Sequence, residues 1–230
     1  VTHILTYPQY WAWRLTGVMA SEMTSLGCHT DLWAPGQSDF SSMVKARGWA
    51  QLFPPVRKAA SVLGSIVPAV AAATGIAADV PVTCGIHDSN ASLLPHLGAR
   101  AAPFSIISTG TWTIAMTVGG DTSRLDPARD SLANVDAHGR AVPTARFMGG
   151  REFDHLVPDI RDPTTADVAR VIEQDIRIEP TFTPGVGPFP KASGGWTQDP
   201  AQLKPEERTA AASLYLALVS QACLELCGLG

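Results

Sequence analysis

The hydrophobic pattern of this chain changes character near its middle. Residues 8 to 16, PQYWAWRLT, place Trp and Leu on one helical face, with Pro8 at the first helical position and Gly17 as the stop. That face predicts Trp11 and Trp13 as core residues. Met19 to Leu32 is rich in Ser and Thr and reads as loop with short extended pieces. Ser41 to Gly48 predicts a short helix capped by Ser41 or Ser42. Pro54-Pro55 rules out regular helix between Phe53 and Lys58, and Val67 to Thr74 is a second short helix that Gly75 ends. Val80 to Cys84 then reads as a buried strand ending on Gly85. Asp88 follows on a loop, and a helix starts near Ala91 and Ser92.

Beyond Leu97 to Ala102, a plausible crossing between lobes, β patterning takes over: Phe104–Ser108, Thr113–Val118, Leu132–Val135 and Ala141–Pro143. Asp136-Ala137-His138-Gly139 is the hairpin turn between the last two. A helix near Gly150 carries Phe153 and Leu156 on one face, and Thr165 to Gln174 is another, capped by Thr164 or Thr165. The glycine- and proline-rich stretch from Thr183 to Thr197 reads as a long surface loop. Glu206 to Leu226 is the longest helix, apolar at Ala211, Leu214, Tyr215, Leu218, Ala222 and Leu226. Alternating helices and strands exclude an all-α or all-β chain, so the class is α/β in two lobes, 1–98 and 99–230.

Composition narrows the function classes. A net charge of −4 with no basic run argues against nucleic acid as partner. No run of eighteen apolar residues occurs, so no membrane span is expected. The N-terminus has no charged leader or small-residue cleavage site, and no initiator Met, so the chain is expected to start inside a longer protein. Cys28 and Cys84 are isolated, and Cys223 and Cys227 stand one helical turn apart with no third ligand nearby. They read as buried reduced thiols of a cytoplasmic protein, and no metal ligands are assigned.

Two stretches carry candidate chemistry. Asp88 at a strand end suits a general base, and it equally suits a helix cap. Ser108-Thr109-Gly110-Thr111 breaks a β run with a glycine and hydroxyls, which suits a phosphate-binding turn and also an ordinary hairpin. Arg151 and Glu152 read as solvated, and Gly149 as a point of chain flexibility.

GIHDSNAS resembles the Gly-x-x-Asp-x-x-Ala segment of the FGGY carbohydrate kinases, and ISTGTWT their Gly-Thr phosphate hairpin. YPQYWAWRLTG followed by ASEMTSLGCHTDLW is similar to the helix and Tyr-Thr-Asn-Ala-Ser segment before their substrate region. FMGGREFDHL is similar to the segment where a glycine abuts the nucleotide. His87-Asp88 with Ala91-Ser92 and Gly110-Thr111-Trp112 is nearest the rhamnulokinase branch, with Ser89-Asn90 where that branch has Thr-Ala. The resemblance implies a two-lobed actin-like (ribonuclease H-like) ATPase fold, here incomplete. Residues 1–98 would be the end of the substrate domain and 99–230 the start of the nucleotide domain.

It further implies transfer of the γ-phosphoryl group of ATP, with Mg²⁺, to a hydroxyl of a ketose or deoxy-ketose sugar. Asp88 would be the general base; His87, Ser89 and Asn90 would contact sugar; Gly110, Thr111 and Gly150 would serve ATP. Sugar and ATP are the implied partners, and a homodimer is left open. The family's Asp-x-Gly-Thr hairpin and its Gly-Gly-x-x-x-Asn adenine segment are not present, so the 230 residues alone are expected to be inactive. The rivals are a non-catalytic actin-like module that binds nucleotide or sugar, and a phosphatase of the same superfold.

Overall fold

In the computed structural model, which describes residues 1–28 and 30–228, the chain folds as two units. One comprises Val1–Arg100 together with Asn134–Ala141; the other comprises Ala101–Ala133 and the chain from Val142 onward.

The first unit opens with α1 (Tyr7–Thr16). Pro8 lies in its first turn, where a missing N–H costs nothing, and Gly17 ends it in the left-handed region at φ 77°. The residues that α1 buries are Gln9 and Ala12, not the tryptophans. Trp11 is 51 % exposed and packs edge-on against Tyr10 at 5.4 Å, so it is a surface aromatic; Trp13 is half-buried. Next come β1 (Ser21–Glu22), α2 (Met23–Gly27), β2 (Trp33–Ala34), β3 (Asp39–Phe40), α3 (Ser42–Ala46) and β4 (Val56–Arg57). The Ser- and Thr-rich stretch is therefore more ordered than a loop. β1 pairs in parallel with β4, and Leu26, Val44 and Phe53 form the buried centre between these short elements. Ser41 caps α3 by accepting from the Val44 N–H.

The unit continues through β5 (Val62–Ser65), α4 (Pro68–Thr74), β6 (Pro81–Thr83) and α5 (Asp88–Ala99). Among the described residues β6 pairs with β5 alone, antiparallel, and its Pro81 and Thr83 are exposed. Burial is confined to Cys84 just after it, so this strand is not the buried one expected. α5 begins at Asp88, three residues before the expected start.

The second unit is built on β7 (Phe104–Thr109), β8 (Thr113–Val118), β9 (Ser131–Val135) and β10 (Ala141–Phe147), in the order β7-β8-β10-β9. β8 is buried along its whole length. Then follow α6 (Gly149–Leu156), α7 (Thr165–Glu173), β11 (Ile178–Glu179), β12 (Gly195–Trp196) and α8 (Pro205–Leu226). A reciprocal box between Thr164 and Asp167 caps α7, a device typically worth ~1 kcal/mol.

α8 is long and apolar enough to cross a membrane by length and composition, although no uninterrupted run suggested it. One side of it packs into the unit's core through Ala211, Ala212, Tyr215, Val219 and Cys223. Leu218, expected in that face, is 66 % exposed, because the buried stripe is turned toward Ala212 and Val219. The four cysteines are free and buried, and burial pushes the Cys84 thiol up to about 11 and those of Cys223 and Cys227 up to about 12.

Candidate active site

In the first unit, the segment between β6 and α5 has left the sheet and needs other partners for its backbone. The Ser61 and Ala59 carbonyls accept from the Cys84 and Gly85 N–H groups at 2.9 and 3.1 Å, and two fully buried side chains supply further partners. Gln9 donates from Nε2 to the carbonyl of Cys84 at 3.0 Å and, longer, to that of Gly85. The Thr24 hydroxyl accepts from the His87 N–H at 3.1 Å. Between these grips the chain turns at Gly85 with φ 86°, a conformation that favours glycine.

Asp88 is then the first residue of α5, with His87 in the cap position. Its Oδ1 accepts from the Ser89 N–H at 2.6 Å and lies 3.0 Å from His87 Nδ1. The side chain is otherwise open, at 93 % exposure. Burial holds the His87 imidazole below its ordinary pKa, against the opposing pull of Asp88 and Glu22. Ser89 is half-buried beside Asp88. Asn90 departs from the sugar contact expected of it. It is 1 % exposed, and its Nδ2 donates to the Val135 carbonyl and to Asn134 Oδ1, which seals the 134–141 turn onto α5.

Beneath this loop lies a side chain that sequence reasoning passed over. Glu22 is fully buried, and its Oε2 accepts from the N–H groups of Thr24 and Ser25 at 3.0 and 3.1 Å and from the Thr24 hydroxyl. Because that hydroxyl gives its proton to Glu22, the oxygen is left as an acceptor toward His87.

In the second unit, Gly110, Thr111 and Trp112 connect Thr109 to its pairing partner Thr113. Gly110 and Thr111 are exposed at the tip, and the Arg146 guanidinium lies 4.6 Å over the Trp112 ring. The start of α6 packs straight onto this tip. A Cβ on Gly150 would fall on the Gly110 carbonyl and within 3.2 Å of Thr111 Cα, and one on Gly149 would fall on the Thr113 hydroxyl. Gly149 thus serves close packing, not flexibility. Gly110 itself has room, since a Cβ there meets nothing nearer than 3.8 Å. Tip, α6 and the Leu216–Ser220 stretch of α8 enclose a cleft of about 450 Å³, with Phe153 and Asp154 on its wall. A larger groove of about 550 Å³ between α7 and α8 is lined by apolar side chains such as Val171, Ile172 and Leu214 and by the turn at Asp175.

Glu152 is the second missed residue. Instead of being solvated it is 2 % exposed. Its Oε1 accepts from the Thr181 hydroxyl at 2.7 Å and the Phe182 N–H at 3.3 Å, and its Oε2 from the Tyr215 hydroxyl. Burial, and then the bond to Glu152, push the Tyr215 phenol above its ordinary range. Arg151 beside it is exposed, as expected. Nothing in the linear pattern marks Glu152, because its partners lie 29 to 63 residues away.

The fold has solved counterparts. The chain superimposes over 98 % of its length on a carbohydrate kinase from Novosphingobium aromaticivorans, at TM-score 0.82 and 43 % identity, covering 52 % of that chain. A xylulose kinase from Lactobacillus acidophilus superimposes over 98 % of this chain and 48 % of its own, at TM-score 0.71 and 14 % identity. The architecture is that of the actin-like ATPase fold, and the chain spans about half the length of these counterparts. Residues 1–95 match the N-terminal domain of the FGGY family of carbohydrate kinases, and residues 101–230 match the domain described as carbohydrate kinase FGGY, C-terminal. The chain belongs to the FGGY family of carbohydrate kinases. It is also 33 % identical over 169 residues to an L-fuculokinase from Salmonella typhi, covering 69 % of this chain and 35 % of that enzyme.

Proposed function

We propose that the intact protein is an ATP-dependent sugar kinase, in which residues 1–98 supply the acceptor side and residues 99–230 the phosphate side. The observation that carries this reading is the exposed Asp88 carboxylate, oriented by the Ser89 N–H and His87 on a loop gripped from below. A sugar hydroxyl is a weak nucleophile at neutral pH. Asp88 would orient it and accept its proton as the oxygen bonds to the γ-phosphorus and the bond to the leaving ADP oxygen breaks. His87 and Ser89 flank the carboxylate and would hold neighbouring hydroxyls. Asn90 would act through the 134–141 turn, since its amide nitrogen is already bonded there.

The cleft at Gly110 and Thr111 suits the phosphates of ATP. The tip is exposed, the open face of Gly110 admits close approach, and the N-terminus of α6 favours negative charge. Among the described residues no three His, Cys, Asp or Glu side chains group to hold a metal ion. Mg²⁺ would arrive on the phosphates of ATP. The buried thiols suit a reducing cytoplasm. The acceptor is a ketose or deoxy-ketose.

The test is sugar-dependent ADP release by the intact protein over pentuloses, hexuloses and deoxy sugars, with Asp88→Asn alongside. Turnover on the accepted sugar should fall roughly 10²–10⁴-fold in the variant while sugar affinity changes little. Near-normal turnover would show that Asp88 serves only the helix start. ATP or sugar binding without ADP release from any acceptor would mark a non-catalytic module.

A further inference from the structure

The Asp88 loop is gripped by more than its neighbours, and the grip has a direction. Thr24 is fully buried, and both functions of its hydroxyl are committed: the proton to Glu22 Oε2, a lone pair to the His87 N–H at 3.1 Å. Glu22 takes the Thr24 and Ser25 N–H groups on the same oxygen, so the carboxylate, the start of α2 and the hydroxyl form one rigid unit. From the other side, Gln9 on α1 holds the carbonyl of Cys84. The four residues from Cys84 to His87 are therefore held at each end by a buried polar side chain distant in sequence, with the Cys84 and Gly85 N–H groups also bonded to the Ser61 and Ala59 carbonyls. Apolar side chains would fill the same space without fixing the backbone. A polar pair fixes it, and the residue immediately after the second grip is Asp88.

We propose that Thr24, oriented by Glu22, and Gln9 are positioning residues that set where the Asp88 carboxylate stands. The inference rests on the reading of Asp88 as the base. Neither residue reaches solvent, so neither touches a sugar; each acts only through the loop. A displacement of about 1 Å at a reacting group can cost up to about 10²-fold in rate, so a device that holds the loop to tenths of an ångström matters to turnover.

The experiment uses the intact protein and its accepted sugar. Thr24→Val keeps the shape and removes both bonds; Thr24→Ser keeps the hydroxyl. Thr24→Val should lower kcat roughly 10–10²-fold with the Michaelis constant for sugar within about 2-fold, and Thr24→Ser should recover most of the loss. The deciding measurement repeats Thr24→Val in the Asp88→Asn background, by single turnover. If Thr24 acts through Asp88, the second substitution there changes the rate less than about 2-fold. The same loss in both backgrounds would overturn the proposal and leave Thr24 a plain structural residue. A Thr24→Val enzyme with unaltered kcat would overturn it too. Should Thr24→Val fail to fold, Gln9→Met tests the other grip by the same cycle, with the same two outcomes deciding. Asp88→Asn alone reports on the base: full turnover in that single variant removes the base reading and this inference together, whereas additivity removes only the inference.

Discussion

Glu22 and Glu152 are both buried carboxylates, one in each unit, and they work over different distances. Among the described residues, the hydrogen-bond partners of the Glu22 carboxylate lie within three residues of it, on the first turn of α2. The partners of Glu152 come from residues 181, 182 and 215, so it ties α6 to a distant loop and to α8. The first is a cap that also orients the Thr24 hydroxyl toward the Asp88 loop. The second is a tertiary rivet that joins α6 to the Thr181–Phe182 stretch and to α8. Removing the cap should loosen one short helix; removing the rivet should loosen a unit.

That contrast can be broken by measurement. Glu152→Ala removes the shared acceptor of the Phe182 N–H and of the Thr181 and Tyr215 hydroxyls, and should cost roughly 3 kcal/mol or more in denaturant unfolding of the intact protein. Gly150→Ala should cost about 1–3 kcal/mol, because the new Cβ meets backbone and not a side chain that can swing away. Glu22→Ala should cost about 1–2 kcal/mol, in the range of a lost cap. If Glu22→Ala proves as damaging as Glu152→Ala, the distinction between cap and rivet fails.

Gly110→Ala sharpens the comparison at the tip itself. Stability should stay within about 0.5 kcal/mol while the Michaelis constant for ATP rises and that for sugar does not. An unchanged ATP constant in a folded Gly110→Ala or Gly110→Val protein would remove the phosphate assignment.

The smallest effects lie at the two ends of the pH scale. The fold holds the His87 pKa below 6.5, so the native state binds fewer protons there than the unfolded chain. Its contribution is present above pH 6.5 and is lost as pH falls below it. Tyr215 is the reverse: its phenol is held above 10, so its contribution is present below pH 10 and is lost as pH rises beyond it. His87→Gln should flatten the acid limb of a stability profile, and Tyr215→Phe the alkaline limb. Each should leave the other limb alone.

The order of elements was legible in the sequence because its punctuation is local. Gly17 and Gly75 stop their helices in the left-handed region, Ser41 and Thr164 cap theirs, and the four main strands fall where β-branched runs predict them. Burial was less legible, because it depends on what arrives from elsewhere. Trp11 looks like a core residue and lies on the surface, while Glu152 looks solvated and is buried, and the polar Gln9 is buried too. In both polar residues the compensating partner is remote in sequence: the Cys84 carbonyl for Gln9 and the Tyr215 hydroxyl for Glu152. Asp88, Gly110 and Gly150 stood out because a motif spans them. Thr24 and Glu22 did not, because a Ser- and Thr-rich stretch resembles loop until its buried partners are known.

The 134–141 turn belongs with the first hundred residues, although the strands that lead into it rise from the sheet of the second unit. Asn90 donates to the Val135 carbonyl, Asn134 to Cys28, and a side chain on Gly27 would run into Val135. The unit bearing Asp88 is therefore encoded in two separated pieces. In the language of heredity, no single crossover between genes can exchange that unit whole. A recombinant joined at residue 100 would inherit the α5 of one parent and the turn that seals it from the other. The turn stays sealed in such a recombinant only where the two parents agree in the packing of Gly27 against Val135 and in the amides of Asn90 and Asn134.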